Sequence, residues 1–316
     1  MILTVTLNAA VDKTYTVENF TIDRVHRPSS WRIVAGGKGI NVARVYQELG
    51  GDVIATGFLG GHNGEIIQEG LRAERLKSDF VRSAGESRVC IAILDPIHKT
   101  QTELNEVGPD ITQDEIDRLM LKFESLVPGM QFAVLSGSAP PSVPATIYYD
   151  LIRLAAHYDV PCVLDSSGEY LIRGLEAKPF IVKPNVHELS AVVGRQLETI
   201  EEVVSAACEL REQGIRIVIV TLGRNGAVAA DASGIWHAKP PEIPFVSAVG
   251  SGDAFAAAFL YILASNGTTS DALRWGVAAG AANAMTFGAG FCKREDIMNL
   301  AEGVELAELQ MFGGEL

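Results

Sequence analysis

Short apolar runs recur along the chain, and stretches with a helical pattern separate them. These runs are continuous rather than alternating, which is typical of strands buried on both faces of a parallel sheet. Strands are predicted over residues 2–7, 53–59, 132–136, 162–165, 181–183 and 217–221. Strands that alternate with helices in this way predict an α/β fold, with a central sheet sandwiched by helices.

Apolar residues spaced three and four positions apart predict four helices, over residues 41–49, 112–126, 200–213 and 253–265. One face of the first helix carries Val42, Val45, Tyr46 and Leu49. Glycine-bearing turns follow the first and last of these helices, at 50–51 and 266–267, which is how helices commonly end.

Two segments, 14–35 and 87–102, depart from this rhythm. They are polar, alternate between apolar and polar residues and lack a helical period, as in the run from Arg88 to Leu94. Such alternation predicts a small sheet with one apolar face and one exposed face. Because no linker, repeat or low-complexity tract divides the chain, we expect a single domain over residues 1–316, with this small β-sheet as a lid.

The composition narrows the classes of partner. Of the 316 residues, 47% are hydrophobic and 21% are charged, which supports a packed globular core rather than disorder. The net charge of −13 disfavours a nucleic acid or an anionic membrane, because either partner would require a basic face. No apolar stretch suits a bilayer span, and the four cysteines lack metal-ligand spacing, so we expect a cytoplasmic protein with free thiols.

A glycine turn, Gly250-Ser-Gly-Asp253, leads into the last predicted helix. Glycines there allow backbone N–H groups to converge at a helix N-terminus, where the dipole favours an anion such as a phosphoryl group in transfer. Asp253 could accept a proton from an attacking hydroxyl, or it could simply cap the helix.

A second glycine turn, Gly36-Gly-Lys-Gly-Ile-Asn41, also leads into a helix. It is not a Walker A loop, because glycine rather than Ser or Thr follows Lys38, and it lacks the spacing of a dinucleotide fingerprint. Glycines beside Lys38 and Asn41 suit close approach to a polyhydroxyl or phosphorylated ligand, although a plain turn explains them equally well.

Two further motifs follow predicted strands. Asn185 and Glu188 stand three residues apart at a helix start, where an amide and a carboxylate can hold hydrated magnesium or form a capping box. The stretch 221–226 closes a strand with a glycine turn, which fits either nucleotide phosphates or a hairpin.

The joint presence and order of these motifs carry more information than any one of them. Together they resemble the PfkB branch of the ribokinase-like carbohydrate kinases over essentially the whole chain, and in particular the fructose-1-phosphate and tagatose-6-phosphate kinases. The resemblance is carried by stretches 6–12, 36–41, 136–138, 165–168, 183–188, 221–223 and 250–253.

This resemblance implies a ribokinase-like three-layer α/β/α sandwich, a homodimer joined through the β-sheet lids, and ATP and Mg²⁺ as cosubstrate and cofactor. It implies Asp253 as the base, with Gly250 and Gly252 in the anion hole. The sugar phosphate would contact Asp12, Gly37, Lys38, Asn41, Arg88, Asn105, Ser138 and Arg27. ATP would contact Lys183, Asn185, Thr221, Gly223, Gly226 and Asn283, and magnesium would be held through water by Asn185 and Glu188.

Fructose 1-phosphate is the substrate that the resemblance favours, with fructose 1,6-bisphosphate as the product. Asn105 resembles the fructose-1-phosphate kinases, whereas stretches 49–57 and 274–280 look more like tagatose-6-phosphate kinases. Tagatose 6-phosphate is therefore the alternative, followed by the substrate of another PfkB-type kinase such as a 6-phosphofructokinase. The chain departs from the family pattern at Ala9, Cys90 and Ala248, and Cys90 replaces an amide that could touch the substrate.

Three other classes of protein are alternatives to a kinase. An oxidoreductase would need a dinucleotide fingerprint, which the sequence lacks. A noncatalytic binding module would be free to lose Gly250, Gly252 or Asp253, all of which are present. A hydrolase that uses Asp165 and Glu188 as a carboxylate pair stays open at this level.

Overall fold

The computed structural model describes residues 1–309, so residues 310–316 of the domain predicted over 1–316 lie outside it. The strands of the described part are β1 (Ile2–Thr6), β2 (Ala10–Thr16), β3 (Ser30–Gly36), β4 (Val53–Gly60), β5 (Val81–Ser83), β6 (Arg88–Asp95), β7 (Thr100–Asn105), β8 (Phe132–Ser136), β9 (Cys162–Asp165), β10 (Ile181–Val182), β11 (Ile217–Thr221), β12 (Ala227–Ala230), β13 (Ile235–Lys239) and β14 (Glu305–Glu308). The helices are α1 (Lys38–Glu48), α2 (Gly61–Ala73), α3 (Gln113–Leu126), α4 (Ile147–His157), α5 (Gly168–Glu176), α6 (Val186–Val193), α7 (Ile200–Glu212), α8 (Ser251–Ala264), α9 (Thr269–Ala284) and α10 (Arg294–Glu302).

The larger sheet has ten strands in the order β14-β13-β12-β11-β10-β9-β8-β1-β4-β5. The strands from β11 to β5 run parallel to their neighbours, while β12, β13 and β14 form an antiparallel edge. Only a short turn joins β11 to β12, and such a turn requires antiparallel pairing. The hairpin interpretation of stretch 221–226 is therefore confirmed.

Helices cover both faces of this sheet, because its buried strands alternate apolar side chains between two cores. Ile2 packs into a core with α1, α2, α8, α9 and α10, whereas its neighbour Leu3 packs into a second core with α3 to α7. The three-layer α/β/α sandwich predicted from the sequence is confirmed. No helix within residues 1–309 is long and apolar enough to cross a membrane.

A second sheet of four strands, in the order β3-β2-β6-β7, stands apart from the large one. It overlaps the segments 14–35 and 87–102, although it begins earlier, at Ala10, and continues to Asn105. Successive side chains alternate between its faces, so Val34 and Asn105 line a cavity while Trp31, Ile33 and Leu104 are exposed. This sheet therefore has an inner polar face over a cavity and an outer apolar face.

Helix boundaries follow from local capping chemistry. Thr112 and Thr199 each form a capping box with a glutamate three residues later, and α3 and α7 begin immediately after them. Helix α1 begins at Lys38, three residues before the predicted start, because Gly37 is its N-cap with a φ of 111°. The glycine turn therefore forms the entry to the helix, which places Lys38 and Asn41 in its first turn.

Candidate active site

The carboxyl ends of the parallel strands meet at one edge of the large sheet, where ligands bind in open α/β folds. Strand register places Ser136 beside both Thr6 and Asp165, and a bridge pairs Asn185 with Thr221. A cavity of about 390 Å³ lies between this edge and the inner face of the second sheet. Of these strand-end residues, Asp165, Asn185 and Thr221 line the cavity.

Most of the predicted site residues line this first cavity. The members are Asp12, Gly37, Lys38, Asn41, Arg88, Asn105, Lys183, Asn185, Glu188, Thr221, Gly250, Gly252 and Asp253. A second cavity, of about 850 Å³, adjoins it and is lined by Gly223 and Gly226. Asn185, Thr221 and Gly252 line both cavities, so they mark the boundary between them.

The second cavity has mainly apolar walls. They include Phe245, Phe255 and Val277, while the turn at Gly223 and Gly226 supplies backbone polar groups at its edge. An apolar cleft with a few polar groups suits a flat, heteroaromatic ligand. Its position next to the polar first cavity places such a ligand beside Gly252.

Asp253 lies in the first turn of α8 and lines the first cavity, immediately after the boundary residue Gly252. The N-cap of α8 is Gly250, with no side-chain capping hydrogen bond, so the capping interpretation of Asp253 is wrong. Instead, Oδ2 of Asp253 accepts a hydrogen bond from Nδ2 of Asn41 at 2.9 Å. Burial raises the pKa of Asp253 to about 6, against the opposing effect of the Lys38 ammonium. A carboxylate with this pKa can act as a general base near neutral pH.

Gly250 has no room for a side chain. Its φ is 80°, and a Cβ there would lie 2.7 Å from the Cα of Ala289. The hydrogen bonds of the described residues do not use the amides of Gly250 and Gly252, whereas the amide of Ser251 donates to Ala248. Two free amides at the N-terminus of a long helix suit an anion.

A cluster of charges lies near Asp253, in which Asp165 and Lys183 are buried and the side chain of Lys38 is 38% exposed. Asp165 accepts from Nζ of Lys38 at 3.0 Å and pairs with Nζ of Lys183 at 2.9 Å. Burial disfavours ionisation of Asp165, but the ammonium groups of Lys183 and Lys38 outweigh it, so its pKa lies below its ordinary value. Asp165 is therefore a counter-ion for two lysines, which disfavours the hydrolase alternative in which it would act together with Glu188.

Asp12 and Arg88 line the first cavity from the second sheet. Burial raises the pKa of Asp12 to about 6, and the guanidinium of Arg88 opposes this. Arg88 donates to the carbonyls of Asn8 and Glu106, which anchors the guanidinium at the cavity wall. A Cβ on Gly36 would lie 2.0 Å from Oδ2 of Asp12, so glycine at 36 makes room for this carboxyl.

Asn185 and Glu188 form the capping box that the sequence allowed. Asn185 Oδ1 accepts from the amide of Glu188, and Glu188 Oε2 accepts from the amide of Asn185. The same two side chains line the first cavity, and Glu188 Oε1 takes no part in the box. Residues 1–309 contain no group of three or more His, Cys, Asp and Glu able to hold a metal. One carboxylate and one amide fit magnesium, a cation that keeps most of its waters.

Three predicted site residues do not line either cavity. Ser138 is exposed beyond the turn at Gly137, and Arg27 is exposed in the loop between β2 and β3. Asn283 is fully buried: its Nδ2 donates to the carbonyl of Val249 at 2.7 Å, and its Oδ1 accepts from the amide of Gly290 at 2.7 Å. Asn283 is therefore a buried brace between two loops, and its place in the ATP site stays a prediction.

Sequence reasoning missed several residues that line or support the site. Glu103, one strand position from Leu104, points into the first cavity, and Ser247 lies at its rim. Arg44 is buried and donates a hydrogen bond to Asn41. Alternation along β7 could have indicated Glu103, but the contacts of Ser247 and Arg44 are made across distant parts of the chain.

Known proteins resemble this chain along most of its length. A family model described as pfkB family carbohydrate kinase matches residues 5–296. Tagatose-6-phosphate kinase of Staphylococcus epidermidis is 37% identical over 312 residues, covering 98% of this chain and 100% of that protein. The 1-phosphofructokinase of Bacillus subtilis is 36% identical over 288 residues, covering 90% and 93%. The crystal structure of phosphofructokinase-2 from Escherichia coli in complex with substrates and products has a TM-score of 0.91 at 30% identity, covering 96% and 98%.

The buried charge cluster generates a prediction about stability. Asp165→Asn leaves the ammonium groups of Lys38 and Lys183 without their counter-ion, so the free energy of unfolding should fall by about 3–5 kcal/mol. Urea denaturation at neutral pH measures the loss. Asp114→Asn, which breaks an exposed ion pair with Arg118, should cost less than about 1 kcal/mol. Equal losses in the two variants would contradict the role of Asp165.

Proposed function

The chain belongs to the pfkB family of carbohydrate kinases, and from that premise we propose that it transfers the γ-phosphoryl group of ATP to fructose 1-phosphate. It is a sugar-phosphate kinase related to 1-phosphofructokinases and tagatose-6-phosphate kinases. The observation that carries the proposal is the position of Asp253, a buried carboxylate beside two free amides where a polar and an apolar cavity meet.

ATP occupies the second cavity in this proposal. Its base lies among the apolar walls near Phe255 and Val277, and its phosphates approach the boundary residues Asn185 and Gly252. The amides of Gly250 and Gly252 then stabilise the charge on the transferring phosphoryl group, with the α8 dipole behind them. Lys183, whose Nζ would lie 3.5 Å from a Cβ on Gly252, adds a cation at the same point.

Magnesium bound at Asn185 and Glu188 through water would neutralise charge on the ATP phosphates. The capping box keeps both side chains at the cavity boundary before any ligand arrives. We therefore retain these two residues as the proposed magnesium site.

The sugar phosphate occupies the first cavity with its acceptor hydroxyl against Asp253. Oδ2 of Asp253 is engaged by Asn41, which leaves Oδ1 to accept the hydroxyl proton. Asp12 and Asn105 on the second sheet would bind sugar hydroxyls, and Arg88 would bind the phosphate already present. The second sheet would thus hold the substrate while its acceptor hydroxyl meets Asp253.

Two ketohexose monophosphates fit this description. Fructose 1-phosphate is favoured because Asn105, which resembles fructose-1-phosphate kinases, lines the sugar cavity itself. Tagatose 6-phosphate is the second candidate, because the Staphylococcus epidermidis tagatose-6-phosphate kinase matches this chain as well as the 1-phosphofructokinase does.

A cytoplasmic location stays a prediction of the sequence.

A test of the base is Asp253→Asn. Removing a general base should lower kcat by about 100- to 10,000-fold, while the melting temperature and the Kd for ATP stay close to wild type. In the wild type, kcat/KM should fall as the pH drops through about 6, because the base must be deprotonated. Asp12 also has a pKa raised to about 6. The fall of kcat/KM at acidic pH, the acidic limb of the pH profile, therefore reflects the coupled ionisation of Asp12 and Asp253.

Asp271→Asn is the matched control, because Asp271 lies in the first turn of the neighbouring helix α9. Its kcat should stay within about twofold of wild type, since surface changes away from the site have small effects. An Asp253→Asn variant with nearly normal turnover would remove the base assignment.

The preferred substrate is tested by specificity constants from a coupled ADP-release assay with saturating ATP. We expect kcat/KM for fructose 1-phosphate to exceed that for tagatose 6-phosphate and fructose 6-phosphate by roughly tenfold, about 1.4 kcal/mol of transition-state binding. Asn105→Ala should reduce this ratio if its amide reads the sugar hydroxyls. A tenfold preference for tagatose 6-phosphate would replace the substrate and leave the kinase assignment unchanged.

We further propose that two copies of the chain associate through the outer faces of their second sheets. Trp31, Ile33 and Leu104 are exposed on that face by 66%, 50% and 57%. Strand register places Ile33, Lys13, Ile91 and Leu104 in one row across the four strands. Apart from Lys13 this row is apolar. Exposed apolar side chains grouped on one sheet face mark an interaction site, and a second copy offers a matching apolar surface.

Sedimentation velocity tests this association. Trp31→Asp should convert a dimer to a monomer, because an unpaired charge would be buried at the apolar contact. Leu121→Asp is the matched control, since Leu121 is equally exposed, at 66%, but lies on α3. A wild-type chain that sediments as a monomer at micromolar concentration would refute the proposal.

A further inference from the structure

Arg44 is buried in α1 and makes contacts that have no part in the proposed reaction. A guanidinium has five N–H donors and no acceptor. All five are matched here by acceptors: two from the carboxylate of Glu74, at 2.6 and 3.1 Å, and one each from the Ala35 carbonyl at 2.6 Å, the Ala289 carbonyl at 3.2 Å and Asn41 Oδ1 at 3.0 Å. The guanidinium is therefore held in one orientation.

This orientation decides which way the amide of Asn41 faces. Arg44 can only donate, so Asn41 must turn its oxygen, Oδ1, toward Arg44. The other end of the amide, Nδ2, then points to Oδ2 of Asp253 at 2.9 Å. Arg44 and Asn41 are three residues apart on α1, where side chains are neighbours on one helical face.

The opposite orientation would disable a base at Asp253. A flipped amide would place the carbonyl oxygen of Asn41 against a carboxylate oxygen, and two acceptors can share a hydrogen bond only if Asp253 carries a proton. We propose that Arg44 is a positioning residue, which fixes the polarity of Asn41 so that Asp253 is held as an acceptor. This inference rests on the proposed role of Asp253 as the base.

The same guanidinium also braces the anion hole. Its Nη1 donates to the carbonyl of Ala289, and a Cβ on Gly250 would meet the Cα of Ala289 at 2.7 Å, so these backbones touch. The ring of Phe291 lies 4.4 Å from the guanidinium carbon of Arg44. The single guanidinium of Arg44 thus helps to fix the position of the proposed base, through Asn41, and of the turn at Gly250, through Ala289.

Other charged groups face Asp253 from the elements packed around it. They are Lys38 on α1, Asp165 at the end of β9, Lys183 after β10 and Asp12 on β2. None of them bonds to the Asn41 amide, so none can substitute for Arg44 in setting its orientation. The hydrogen bond from Asn41 lowers the pKa of Asp253 against the larger raising effect of burial.

The test compares Arg44→Lys with the wild type in steady-state kinetics over a range of pH. Lysine keeps the charge but loses the planar fork. We expect kcat to fall about 10- to 100-fold, with KM for ATP nearly unchanged, and the acidic limb to move to higher pH by about one unit. Arg32→Lys is the matched control, because Arg32 stacks on the same Phe291 ring at 3.6 Å and donates to Phe287, but does not contact Asn41.

A double-mutant cycle separates positioning from a purely structural role. Asn41→Ala should reproduce the shift of the acidic limb, and adding Arg44→Lys to it should move the limb no further, although kcat can fall again because Arg44 also braces the anion hole. Additive shifts of the limb, or an unchanged limb in Asn41→Ala, would overturn the inference. The limb of Asn41→Ala remains the deciding measurement if Arg44→Lys fails to fold.

The base assignment is judged separately from Arg44. An active Asp253→Asn variant would overturn the base assignment on which this inference rests. An inactive Asp253→Asn variant together with an Arg44→Lys variant of normal kcat and normal acidic limb would overturn only the role of Arg44.

Discussion

The pairing of buried Asp165 with Lys38 and Lys183 is the interaction on which the site depends. Buried charges are tolerated only when they are paired, because desolvation is costly. This pair of bonds joins α1 to the ends of β9 and β10, and the carboxylate of Asp253 lies near the same two ammonium groups. Although the net charge of the chain is −13, Lys38 and Lys183 thus place two positive charges at the site where a kinase binds anionic phosphates.

The two glycine turns matter because the absence of a side chain lets neighbouring groups approach closely. Gly36 leaves room for the carboxyl of Asp12, and Gly250 lets the turn before α8 contact Ala289. Each turn sits at the entry to a helix whose first turn carries a functional side chain, Asn41 or Asp253. The hydrogen bond between these two side chains links the two helices across the cavity floor.

Much of the fold could be predicted because its signals are local. Continuous apolar runs marked β8, β9 and β11 to the residue, and the helical spacing of apolar residues placed α3 and α7 within one residue of their bounds. The motifs also located most of the cavity lining, since turns after parallel strands gather at one edge of a sheet. The hydrogen bonds of Asn283 could not be predicted, because its partners Val249 and Gly290 are brought to it by the packing of separate loops.

The sequence by itself determined the α/β class, the order of the strands and helices along the chain, and the residue types available for phosphoryl transfer. Periodicity, capping and glycine turns act over a few residues, so they can be recognised without the fold. Only the tertiary structure decided that Asp253 bonds to Asn41 rather than capping its helix, and that Asp165 pairs with two lysines. Those roles depend on distance and burial, which arise when residues far apart in the chain, such as 41 and 253, are packed together.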